Sequence, residues 1–142
     1  MISHAALYRR RQTVANSARM DKPTSIPDLV RVAAQDAAPF EAEPGLERRV
    51  LAHNPRMMLV EHHMKVGWAG ARHAHPHDQM VYVVAGRIRL SCGPESFEMG
   101  RGDSALVRGG VEHQAWALEP SIVLDVFTPR REDYLPGAGA GR

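Results

Sequence analysis

Cysteine is almost absent from this chain: Cys92 is the single one in 142 residues. A lone thiol forms no internal disulfide, so the fold is not a cystine-stapled scaffold, and a reducing compartment, the cytoplasm, is expected. Cys92 itself is expected to be a small buried hydrophobe. Aromatic residues are also scarce, at 6%. No stretch approaches the roughly 20 apolar residues that a membrane-spanning helix needs. Acidic residues are missing from the first twenty positions, which carry Arg9, Arg10, Arg11 and Arg19. Residues 21–142 then hold 14 basic against 16 acidic groups, although the formal net charge of the chain is +2. The basic character belongs to the leader, and the remainder has neither the basic face nor the interleaved aromatics of a nucleic-acid binder. No apolar segment follows Arg11, so no secretion signal is read there. Residues 1–22 are expected to be a disordered basic leader, with an organellar transit peptide as the compositional alternative.

What is present suits one domain, expected over 23–134: 44% hydrophobic and 24% charged residues give enough apolar material for a single core. From Leu46 onward, short runs rich in Val, Ile, Leu and Met alternate with Gly, Pro, Asn and Asp, without a helical period. Strands are expected at Leu46–Ala52, Met57–Met64, Gln79–Ala85, Arg87–Cys92, Ser96–Met99, Ser104–Val107, Val111–Ala117 and Ser121–Phe127, with an earlier one at Leu29–Val32. Many short, evenly spaced strands point to an all-β sandwich or closed barrel of the jelly-roll kind. The glycine-rich end, 135–142, reads as a flexible tail.

Three of the eight histidines, His73, His75 and His77, fall within five residues, and Gln79 follows. On an extended chain these positions project from one face, so several imidazoles and an amide oxygen can converge on one ion. A solvated histidine-rich loop would have the same composition, and a period of two does not settle whether His77 belongs to the set.

A second segment, Gly102-Asp-Ser-Ala-Leu-Val-Arg108-Gly-Gly110-Val-Glu-His113, resembles the second conserved motif of the cupin family, and the segment from His73 to Gly86 resembles its first. The resemblance covers about residues 46–134. It implies the cupin double-stranded β-helix, a jelly-roll barrel. It also implies one divalent transition metal ion (Zn, Ni, Mn or Fe) on His73, His75, Gln79 and His113; His77 is then either an outer neighbour of the ion or a surface residue. The chain departs from the family pattern at Gln79, where glutamate is commoner, at Arg108, where proline is usual, and at Ala117, where many cupins have asparagine. Only the first departure touches the chemistry. Three neutral imidazoles and a neutral amide leave the ion's charge uncompensated, which favours a small anionic substrate, a carboxylate.

The run Ser121-Ile-Val-Leu-Asp125-Val-Phe127 places an acid inside an apolar strand, where desolvating a carboxylate is costly unless it is paired. Val123, Asp125 and Phe127 share a face, which points either into the barrel or out to solvent. The ending from Asp125 through Phe127, Pro129 and Arg131 to Tyr134, together with the His75-Pro-His77-Asp-Gln79 core, is similar to the pectin-degradation cupins that linearise unsaturated uronates. By that resemblance Asp125 is an acid/base, Phe127 a pocket wall and Arg131 the cation that holds the substrate carboxylate. Arg130 stands where relatives often have a second proline. The implied function is conversion of an unsaturated monouronate to a linear 5-keto-4-deoxyuronate. The alternatives are a cupin dioxygenase and a non-catalytic sugar-acid binding module.

Other residues are given plainer roles. His62 and His63 face opposite ways on a strand and cannot both join a site, so packing or surface roles are expected. Trp68 is placed at the pocket mouth, and Trp116 in the core or a subunit contact. Arg48 and Arg49 offer one inward guanidinium between them, which can contact an anionic substrate, with a solvated edge pair as the preferred reading. Met57, Met58 and Met64 are taken as core filler. The alternation of Met80, Tyr82 and Val84 suits the outward face of a homodimer.

Overall fold

The computed structural model describes residues 25–137. The expected leader, 1–22, and the end of the expected tail, 138–142, lie outside the described residues. Nine strands follow one another: β1 (Phe40–Glu43), β2 (Leu46–Asn54), β3 (Met57–Met64), β4 (Asp78–Ala85), β5 (Arg87–Cys92), β6 (Glu95–Gly100), β7 (Ser104–Val107), β8 (His113–Ala117) and β9 (Ser121–Thr128). They form two antiparallel sheets, one ordered β1-β2-β3-β9-β4-β7 and the other β6-β5-β8. No helix among the described residues is long and apolar enough to cross a membrane.

Period-two patterning explains the layers. On β3, Met58, Val60, His62 and Met64 are buried, and on β9 Ser121, Val123, Asp125 and Phe127 are. One core cluster gathers Leu46, Met64, Val81, Val83, Ile88, Leu90, Met99, Val107, Ala117 and Val123 between the sheets. A smaller one joins Met58, Val60 and Phe127. Val83, Ile88 and Val123 are at most 1% exposed, and burying each such side chain contributes roughly 1.5–3 kcal/mol.

The expected strands appear with small shifts at their ends, and several expectations are corrected. Residues 29–32 join no sheet, and Leu29 is 82% exposed. The edge position is taken by β1, whose sequence, Phe-Glu-Ala-Glu, is too acidic to read as a strand but suits an exposed edge. Strand β8 starts at His113 rather than Val111, because the backbone N–H of Val111 closes a turn onto Arg108 O. Met57 is exposed, on the opposite face from buried Met58. Cys92 is only half-buried at the margin of the larger cluster.

The β4–β5 turn depends on Gly86. Its φ is +85°, and a Cβ there would lie 2.3 Å from Pro120 O and 2.4 Å from Ser121 Oγ. Gly93, between β5 and β6, has φ +56° with nothing within 4 Å of a Cβ. Gly93→Ala should therefore cost only the left-handed strain, about 1–2 kcal/mol. Gly86→Ala, which adds a clash against backbone, should cost about 3 kcal/mol or more. Urea denaturation of the two variants checks the order; equal losses would show that the contact with residues 120–121 contributes nothing.

Candidate metal centre

Strand register lines up one polar row on the inner face of the larger sheet. Arg48 on β2 is directly opposite His62 on β3. His62 pairs with Val123 and Val60 with Asp125, so His62 and Asp125 are diagonal neighbours. On the other side Gln79 pairs with Phe127 and Val81 with Asp125, which makes Gln79 the second diagonal neighbour of Asp125. The side chains meet accordingly. Arg48 Nε donates to His62 Nε2 at 3.0 Å. An arginine has no acceptor, so His62 Nε2 must accept, and the ring proton sits on Nδ1. That Nδ1 lies 2.7 Å from Asp125 Oδ2 and donates to it. Gln79 Nε2 donates to Asp125 Oδ1 at 2.9 Å. The carboxylate, 4% exposed, thus receives one donor on each oxygen, which offsets the cost of burying it.

Fixing the Gln79 amide nitrogen on Asp125 turns its oxygen the other way, toward the histidines. Those histidines are held by a loop that runs antiparallel to β8: His73 and His113 exchange both backbone hydrogen bonds, at 3.0 and 2.9 Å, and Gly110 N donates to His75 O at 2.8 Å. The turn that carries Gly110 sits hard against this loop, since a Cβ on Gly109 would lie 2.2 Å from Pro76 O. Asp78 Oδ1 accepts from Gly109 N at 2.8 Å.

Each of the three rings is oriented by a backbone carbonyl. Nδ1 of His73 donates to Ala71 O at 2.8 Å, Nδ1 of His75 to His77 O at 3.1 Å, and Nδ1 of His113 to Val111 O at 2.9 Å. A carbonyl only accepts, so each Nδ1 carries the proton and each Nε2 presents a lone pair. Burial, with like charge nearby, holds His75 below its ordinary pKa, and burial also depresses His113. Doubly protonated rings are thereby disfavoured. The ligand atoms of His73, His75 and His113 lie within 4.8 Å of one another. His113 Nε2 is buried without a hydrogen-bond partner. His75 Nε2 lies 2.9 Å from Gln79 Oε1, so two lone pairs face each other. A cation between them would relieve that contact and satisfy the orphaned nitrogen. The residues present fit a divalent metal ion of the imidazole-accepting kind.

His77 stands outside this set. Its ring is 5.4 Å from that of His75, and burial lowers its pKa. Phe127 packs edge-on to His75 at 5.7 Å and to Tyr134 at 5.6 Å. Arg131 lies over the rings of Phe127, at 5.2 Å, and Tyr134, at 4.3 Å. Its guanidinium is gripped by Asp133, Nε at 2.9 Å and Nη2 at 2.8 Å. Phe127, Arg131 and Tyr134 border a cavity of about 230 Å³ whose lining also includes His73, Gln79, His113 and Asp125. Trp68 also lines it, as expected, and donates its indole N–H to Glu43 at 2.7 Å.

Three participants have fuller roles than the sequence assigns them. His62 is part of the polar row rather than ordinary packing, Arg48 is the inward member of its pair, and Tyr134 stacks under Arg48 at 3.6 Å. The available signal was a histidine in phase with buried Met58, Val60 and Met64. Arg49 faces the other way, to Glu61 at 3.0 Å and to the carbonyl oxygens of Ala34 and Ala37.

A family model for the cupin domain matches residues 60–127. The pectin degradation protein KdgF of Dickeya dadantii (strain 3937) is 31% identical over 103 residues, 70% of this chain and 94% of that protein. With two sheets, paired motifs and a histidine cluster between them, the chain belongs to the cupin family. Within that family it is similar to the structure of KdgF from Halomonas sp., with a TM-score of 0.71 and 35% identity over 75% of this chain and 98% of that one. An RmlC-like cupin from Shewanella frigidimarina NCIMB 400 matches with a TM-score of 0.71 and 30% identity, over 74% of this chain and 95% of that one.

The hydrogen-bond pattern makes a specific prediction for Asp125→Asn. With an amide at position 125, His62 donates to its oxygen while its nitrogen donates to a flipped Gln79, whose own NH₂ then satisfies His75 Nε2. Metal-free stability should stay within about 1 kcal/mol of the parent, because every group keeps a partner. Metal affinity should fall about 10–100-fold, because Gln79 now presents donors to the ion. Chemical denaturation and competitive zinc titration measure the two quantities; unchanged zinc affinity would refute the orienting role of Asp125.

Proposed function

We propose that this chain is a metal-dependent enzyme of sugar-acid catabolism that converts an unsaturated monouronate to the linear 5-keto-4-deoxyuronate. The observation that carries the proposal is the clustering of three Nε2 lone pairs and the Gln79 oxygen beside a cavity that His73, Gln79, His113 and the buried carboxylate of Asp125 line. The likeness to two KdgF proteins, one of them described by its role in pectin degradation, supports the choice of substrate. The ligands are His73, His75, Gln79 and His113, for one divalent ion drawn from Zn, Ni, Mn or Fe. When bound, the ion supplies Lewis acidity toward a substrate oxygen.

The chain's own residues then do the rest. Opening the ring requires loss of the O1 proton, cleavage of the C1–O5 bond and delivery of a proton to C4, with carbonyls formed at C1 and C5 and no redox step. Asp125 is the acid/base that moves this proton. Each of its oxygens keeps a second lone pair beyond the bond it already accepts, and one of those can face the cavity. Phe127 forms the apolar wall that holds the sugar ring and limits water. Arg131 adds positive potential over that wall. Its Asp133 partner lowers the net charge there, and Asp133 itself is held below the usual carboxylate range by Arg131.

Metal-loaded protein should accelerate the loss of ultraviolet absorbance of an unsaturated monouronate, with equal rates in air and under anaerobic conditions. Decay at the spontaneous rate would sink the proposal, and dependence on oxygen would favour a dioxygenase. At saturating metal, Asp125→Asn should lower kcat by about 10²–10⁴-fold. His113→Ala should leave little metal on the purified protein by elemental analysis.

We also place a second copy of the chain on the outer face of β4 and β7. Met80, Tyr82, Val84 and Leu106 are all exposed there, and Met80 pairs with Leu106 across the two strands. Light scattering should give twice the 15.7 kDa chain mass; a monomer mass would refute the dimer. The single half-buried cysteine suits a reducing compartment, and we place the protein in the cytoplasm.

A further inference from the structure

We infer that Arg48 is the carboxylate anchor of the cavity, the role that the family resemblance would give to Arg131. The inference rests on the uronate reading above for the identity of the ligand, and on the following geometry for the residue.

Two guanidinium groups line the cavity, those of Arg48 and Arg131. They differ in what neutralises them. Arg131 makes a two-bonded pair with Asp133, through Nε at 2.9 Å and Nη2 at 2.8 Å, so a carboxylate already occupies one edge of its fork. Arg48 has no carboxylate oxygen within 4.0 Å among the described residues. Among the described residues its side-chain hydrogen bond goes to the uncharged acceptor His62 Nε2, at 3.0 Å. The nearby acid of the lining, Glu43, uses Oε1 to accept the Trp68 indole proton. A half-buried cation without a counter-ion, facing a cavity, is an open position for an anion.

Arg48 is also held in place for the task. Its guanidinium carbon lies 3.6 Å from the centroid of the Tyr134 ring, and Nε is tied to His62. Stacking leaves the plane of the fork fixed, while the bond through Nε leaves the outer edge, Nη1 and Nη2, available for two parallel hydrogen bonds to a carboxylate. Little side-chain freedom remains to be lost on binding. The same tie through His62 connects the anchor to Asp125 by two hydrogen bonds, Arg48 to His62 and His62 to Asp125. A sugar acid held by Arg48 is thus positioned relative to the acid/base by the sheet register itself, and the metal cluster at the far end of the row is left to the rest of the sugar. Arg131, with its charge shared by Asp133, serves as part of the wall.

The test is a comparison of carboxylate preference. Calorimetric titration of the full-length, metal-loaded chain with D-galacturonate and with neutral D-galactose should show at least a tenfold preference for galacturonate. Arg48→Gln should abolish that preference, and Arg48→Lys, which keeps charge without the fork, should retain part of it. Arg131→Gln should reduce it less than Arg48→Gln. On an unsaturated monouronate, Arg48→Gln should raise KM at least tenfold with a smaller change in kcat. A parent-like preference in Arg48→Gln, a larger loss in Arg131→Gln, or no preference in the parent protein would each overturn the anchor. Should Arg48→Gln fail to fold, Arg48→Lys decides: an undiminished preference overturns the anchor. If the parent binds galacturonate through Arg48 but turns over no unsaturated uronate, the anchor stands and the proposed reaction falls.

Discussion

One buried carboxylate organises the interior. Asp125 sits at 4% exposure in the middle of an apolar strand, a placement that is tolerated only because a donor meets each oxygen. Those two bonds have consequences in both directions along the sheet. Toward β4, the Gln79 amide is forced to turn its oxygen to the histidines. Toward β2, the ring of His62 is fixed with its proton inward, so its outer nitrogen can accept only from Arg48. A single charge therefore sets the orientation of an amide, the tautomer of an imidazole and the place of a guanidinium on four neighbouring strands, β2-β3-β9-β4.

The histidine face has a different origin. Its three rings are oriented by backbone carbonyls of the loops that carry them, and the loops are held together by ladder bonds between His73 and His113 and by the close approach of Gly109 to Pro76. Three lone pairs are aimed at one region before any ion arrives, which reduces the reorganisation that binding would otherwise require. The cluster and the polar row touch at one place, the pair His75 and Gln79, where two acceptors face each other at 2.9 Å. That contact is unfavourable as it stands, and a cation between the two atoms would relieve it.

Charge is divided between the two ends of the row. Three imidazoles and an amide are neutral, so an ion held by them would keep its full positive charge. At the other end Arg48 has no carboxylate partner among the described residues, whereas Arg131 is matched by Asp133 and Arg49 by Glu61. The cavity lining thus joins residues of the histidine cluster, the buried carboxylate of Asp125 and the guanidinium of Arg48, with the aromatic rings of Phe127 and Tyr134 alongside.

Much of this was legible in the chain. The alternation in Met57–Met64, Arg87–Cys92 and Ser104–Val107 located strands whose ends agree with the structure, because a half-buried strand imposes its period on its own residues. His73, His75 and Gln79 were visible for the same reason, being alternate residues of one segment, and the motif around His113 supplied the distant partner. The acid at 125 stood out against its apolar neighbours, though not the side it faced. Two further features were beyond local reading. The acidic edge strand β1 carries almost no apolar signal, and Leu29–Val32 has the composition of a strand but joins no sheet. By itself the sequence determined the strands from Leu46 onward, the histidine ligand candidates and the family. Tertiary structure decided that Arg48, His62 and Asp125 form one row, that Arg131 is already paired, and that His77 stands aside. Those relations depend on register between strands distant in sequence, and register is set by the packing of whole sheets rather than by any one segment.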